Sequence, residues 1–94
     1  MGVIKSRPTI ENTAMTTANT EYSYKLQAGT RKFTIKLRDV GYPLKLAMVE
    51  SGSGTTYVNI VQGQTYTVDD IKVPLTLYFQ STTGSMVAEI ISWI

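Results

Sequence analysis

After Thr20 almost every apolar residue falls in a short run that alternates with polar residues, and turn-forming Gly, Ser, Asn or Asp interrupts these runs at roughly 8–12-residue intervals. A period of two puts alternate side chains on opposite faces of an extended chain, so each run reads as a strand with one covered face. The clearest is 31–39, where Phe33, Ile35 and Leu37 take one side and Lys32, Thr34, Lys36 and Arg38 the other. Further strands are expected over 21–27, with Tyr22, Tyr24 and Leu26 in register, and over 44–50, 56–61, 64–68 and 75–80. A short strand at 71–73 is an additional candidate. The near-continuous apolar run 86–93 predicts a central strand or one covered on both faces. No window of helical period competes with this pattern.

The expected fold is therefore all-β: a single antiparallel β-sandwich of six to seven strands, jelly-roll or Ig-like, occupying residues 20–94. Residues 1–19 differ. The stretch PTIENTAMTTANT is rich in Thr and Asn, holds only isolated hydrophobes and sustains no period. It reads as an extended N-terminal arm, frayed in an isolated chain and ordered against a neighbour in an assembly, with Val3, Ile4, Ile10 and Met15 as anchors.

The chain has 94 residues, no His and no Cys. Disulfides and zinc, the usual reinforcements of a small domain, are thus unavailable from its own side chains, which leaves self-association as the natural one. The same absences remove His–nucleophile catalysis, and no Ser-x-x-Lys spacing occurs. Asp69 and Asp70 are the only adjacent carboxylates; they read as a turn rather than a calcium site, which needs six or more oxygens. The expectation is a protein that is not an enzyme, with no cofactor and no metal.

Nine Lys and Arg against seven Asp and Glu give a net charge of +2, too slight a bias to point to nucleic acid. No stretch approaches the ~20 apolar residues of a membrane span, and the opening lacks the apolar core of a secretory signal, so assembly in a cytoplasm is expected. Lys32, Lys36 and Arg38 share one strand face and read either as a solvated surface or as a basic stripe for phosphate or an acidic partner surface. Glu89, central in an apolar strand, requires a Lys or Arg partner or an interface. Trp93 shares its face with Val87, Glu89 and Ile91, and most of the aromatics read as core. The Ser/Gly loops 51–55 and 81–85 read as hairpin connections, with recognition tips as the alternative.

The segments KSRPTIENT, EYSYKLQAGTRKFTIKLRD, SGTTYVNIVQGQTYT and LTLYFQSTTGSMVAEIISW span most of the chain. Read together, they resemble short proteins encoded among the structural genes of tailed bacteriophages. That resemblance implies a virion component, a non-enzymatic β-sandwich that decorates or cements the capsid by binding the major coat protein and other copies of itself. A trimer is one such arrangement. The resemblance transfers no functional residue by motif. The partner contacts expected from the residues are Ile4, Ile10 and Met15 on the arm, and Lys32, Lys36 and Arg38 on the basic strand face. The alternatives are a tail or head–tail accessory protein and a glycan-binding module using exposed Tyr42 or Tyr57.

Overall fold

The structure, a computed structural model, describes residues 8–39, 41–61, 63–72 and 74–94. Among these residues eight strands run in chain order: β1 (Pro8–Met15), β2 (Tyr22–Lys25), β3 (Lys32–Leu37), β4 (Leu44–Ala47), β5 (Val58–Ile60), β6 (Thr65–Val68), β7 (Thr76–Gln80) and β8 (Met86–Trp93). They form two four-stranded sheets, ordered β1-β8-β3-β6 and β2-β7-β4-β5. The antiparallel pairs β1/β8, β2/β7, β3/β6 and β4/β5 trace one long two-stranded ribbon with the β4–β5 connection at its tip. That ribbon is wound so that successive segments alternate between sheets, which is the jelly roll.

The core lies between the sheets, as the alternation requires. Phe33, Ile35 and Leu37 of β3 and Ala88 and Ile90 of β8 meet Leu44, Leu46, Leu77 and Phe79 of the opposite sheet, all buried. Tyr22 and Tyr24 pack against this core, in register with Leu26. Strand β8 is central in its sheet, flanked by β1 and β3, with Met86, Ala88, Ile90 and Ser92 buried and Val87, Glu89, Ile91 and Trp93 half-buried on the outer face.

The eighth strand is β1, which falls inside the segment expected as an arm. Residues 8–15 are extended, but they pair along their whole length with β8, from Pro8 opposite Trp93 to Met15 opposite Met86. The inward positions of β1 are Thr9, Glu11, Thr13 and Met15, so the usual apolar alternation is missing. An inward carboxylate such as Glu11 on an edge strand also discourages edge-to-edge pairing with other chains. The following turn is fastened as well. Asn19 N donates to Ser81 O at 2.7 Å, and Thr17 N donates to the Tyr22 hydroxyl at 3.0 Å. Ile71 and Lys72 are not in a strand, and Val73 lies outside the described residues.

Candidate docking face

The register of the β1-β8-β3-β6 sheet fixes which residues share its outer face. Ile10, Ile91, Thr34 and Thr67 form one row across it. Asn12, Glu89, Lys36 and Thr65 form the next, and Pro8, Trp93 and Lys32 close one end. Beyond β3 the Arg38 N–H donates to Val87 O at 2.9 Å, which carries the pattern one step further. The two columns from β1 and β8 are mostly apolar, whereas those from β3 and β6 are cationic and hydroxylic.

Glu89 stands at the junction of these halves. Its carboxylate accepts a hydrogen bond from Arg38 Nε at 2.7 Å and lies 3.5 Å from Lys36 Nζ. The Arg38 hydrogen bond holds the carboxyl below its ordinary range; partial burial opposes this, and the charges of Arg38 and Lys36 add to it. Lys32 Nζ sits 5.1 Å from the centre of the Trp93 ring, within cation–π reach. The Thr34 and Thr67 hydroxyls are 2.9 Å apart and join β3 to β6 on the same face. Each cation of the stripe is thus oriented by a neighbour rather than left to swing.

Four of the expected contact residues are brought together here: Ile10, Lys32, Lys36 and Arg38. Ile10 is 67% exposed and lies in register with Ile91 across the β1–β8 pair. Met15 does not join them. Its parity on β1 is that of the inward face, and at 0% exposure it is a core residue of this chain, not an anchor offered to a neighbour. Val3 and Ile4 lie outside the described residues. Trp93 belongs to this outer face and is half-buried there rather than in the core. The signal for that was its shared parity with Glu89, which no interior strand face would readily hold.

On the other sheet the chain covers one end of the outer face, burying Ala47 and Gln80, while Ser23, Lys25 and Asn59 stay exposed. Glu21, just before β2, receives Ser51 N at 2.7 Å on one carboxylate oxygen, and Ser53 N at 3.0 Å and Ser53 Oγ on the other. Ser53 Oγ also reaches Gln80 Oε1 at 3.1 Å. This clasp pulls the 51–55 loop onto the sheet, burying Gly52 and Ser53. An added Cβ at Gly52 would lie 2.8 Å from Val49 O and 3.0 Å from the Ala47 side chain, so only glycine allows that approach. The Ser/Gly composition here serves close packing rather than a free tip.

Beside the clasp, a shallow apolar groove of about 330 Å³ runs between Met48, Val49, Tyr57, Val58 and Tyr66. Tyr57 is 39% exposed, and Lys45 Nζ lies 5.0 Å from its ring centre. Tyr42 is also exposed, on the β3–β4 connection. At 69–70 the Asp70 N–H donates to Asp69 Oδ1 at 2.8 Å, and Asp70 sits in the left-handed region at φ 61°.

No family model matches this chain, and no curated protein matches it. Among solved structures it is similar to a de novo designed double-stranded β-helix determined by solution NMR, with a TM-score of 0.57 and 18% sequence identity. The match covers 94% of this chain and 99% of the designed one. Identity at that level speaks for the fold alone, and the fold is the wound double-stranded ribbon described above.

Proposed function

We propose that this chain is a non-enzymatic structural module that works by docking the outer face of its β1-β8-β3-β6 sheet against another protein. The setting we propose is the virion of a tailed bacteriophage, where the module would cement or decorate the capsid through coat protein and other copies of itself. One observation carries the docking reading. The outer face of the β1-β8-β3-β6 sheet sets exposed Ile10 in register with Ile91 and beside Trp93, next to the ordered cations Lys32, Lys36 and Arg38. Jelly rolls build capsids and lectins alike, so the fold does not choose between settings. The exposed face, not the fold, supports the reading.

Light scattering of the purified protein, alone and with assembled shells of its coat protein, tests this directly. Self-association or binding to shells is the expected result; a monomer that ignores shells would remove the proposal. Ile10→Ser should change unfolding free energy by no more than about 0.5 kcal/mol, since the side chain is largely in water. The same substitution should weaken docking at least about tenfold, the loss expected of one of the few residues that carry most of the binding energy.

The glycan-binding alternative rests on Tyr57, an exposed ring beside an apolar groove and oriented by Lys45. It predicts glycan-array binding that Tyr57→Ala abolishes. An array without signal for the parent chain would leave that alternative without support.

A further inference from the structure

The docking face is divided into two chemistries, and the division specifies what fits it. On the β1–β8 side Ile10, Ile91 and Trp93 form an apolar strip. On the β3 side stand Lys32, Lys36 and Arg38, against the single carboxylate of Glu89, which both Lys36 and Arg38 already engage. Among the described strand residues of this face, three cations against one anion leave an excess of two positive charges. Adjacent strands are about 4.8 Å apart and alternate outward residues about 6.6 Å apart along a strand. The apolar strip and the cationic row are therefore parallel and one to two strand spacings apart.

Resting on the docking reading above, we propose that the partner of this face is an acidic protein surface: an apolar ridge flanked on one side by a row of carboxylates. Such a surface seats its ridge on Ile10, Ile91 and Trp93 and brings its carboxylates over Lys32, Lys36 and Arg38. A second copy docked face to face brings two cationic rows into one interface without supplying the carboxylates that would pair them. Single-stranded nucleic acid is also a poor fit. It favours several stacking rings along a continuous cationic track, whereas this face has one indole, a central carboxylate and a wide aliphatic strip.

Trp93 is the only tryptophan in the chain and lies on the face, so its fluorescence reports occupancy without a label. The full chain would be titrated with four probes: a synthetic peptide alternating Leu and Glu, the same peptide with Lys for Glu, an all-Glu peptide, and oligo-dT. The expected result is a saturable change in Trp93 emission with the Leu–Glu peptide, at least about fivefold tighter than with any other probe. Raising NaCl from about 50 to about 500 mM should weaken it roughly tenfold. Lys32→Glu should abolish most of the binding. Thr67→Lys, which adds a cation to an exposed position in the β6 column, should tighten it, a gain that loss of folding cannot mimic.

Equal or tighter binding of the Leu–Lys peptide or of oligo-dT would overturn the acidic-partner proposal while leaving a docking face in place. Silence toward all four probes would overturn it as well. The shell-binding behaviour of Ile10→Ser then tells whether the docking reading fails with it.

Discussion

Truncating Met15 to alanine is expected to lower the unfolding free energy by about 3 kcal/mol, within the range of about 2–5 kcal/mol for a buried Met or Leu. In a domain of this size that corresponds to a fall in Tm of roughly 10–20 °C. The reasoning runs from parity. Met15 ends β1 on its inward side, pairs with Met86 and is fully buried, so deleting its side chain opens a cavity between β1 and the opposite sheet. Ile10→Ala is the internal control, since it removes a comparable side chain from the same strand on the side that faces water. It should shift stability by no more than about 0.5 kcal/mol. Thermal and denaturant unfolding of the two variants, measured on the isolated chain, decides the matter. Equal and negligible effects would mean that 8–15 is a detachable arm; a large effect at Met15 alone means that the sandwich needs its first strand.

That contrast also shows which parts of the molecule were legible in its sequence. Strand β3 was, because Phe33, Ile35 and Leu37 alternate with Lys and Thr and each lands where its polarity asks. Strand β8 was too, since an apolar run suits a strand between two neighbours. Strand β1 was not. Its inward face carries Thr9, Glu11 and Thr13, and its one large exposed aliphatic, Ile10, points outward, so polarity and burial run against each other over most of its length. The backbone pairing with β8 organises that segment, and pairing across 71 or more residues of sequence leaves no local trace.

The docking face was half legible for the same reason. The parity of β3 put Lys32, Lys36 and Arg38 together, and the requirement that Glu89 find a cation was met by Arg38 and Lys36. Nothing local says that β1 lies on the far side of β8, so the adjacency of Ile10 to Ile91 had to come from the topology. The clasp was illegible altogether. Glu21 and Ser53 are 32 positions apart, and a Ser/Gly loop has the composition of a loose connection until an acceptor fixes its N–H groups.

Replacing that acceptor is expected to have the second large effect. Both oxygens of Glu21 are in use, one by Ser51 N and the other by Ser53 N and Oγ. An amide at this position has only one oxygen, so Glu21→Gln sets an NH₂ donor against a backbone N–H whichever way it turns. The loss should be about 1–2 kcal/mol at neutral pH, the usual consequence of leaving a partly buried donor unpaired. Ser51, held at φ 66° with its N–H on the carboxylate, would also lose the contact that keeps a non-glycine residue in the left-handed region. The pH dependence gives the sharper test. Partial burial pushes the Glu21 carboxyl up, but the hydrogen bonds from Ser53 and Ser51 together outweigh it and leave it below the ordinary range. A carboxyl lowered in the folded state adds stability above its unfolded pKa and loses it as pH falls through the folded value. The gap between the parent chain and Glu21→Gln should therefore be full at pH 7 and shrink below about pH 4. Glu89 titrates in both proteins and cancels in the difference. Denaturant unfolding of the pair at pH 7 and near pH 3, with amide exchange at Ser53 as a local readout, would show it. A gap that stays constant across that span would mean the clasp acts through shape alone and not through the charge of its carboxylate.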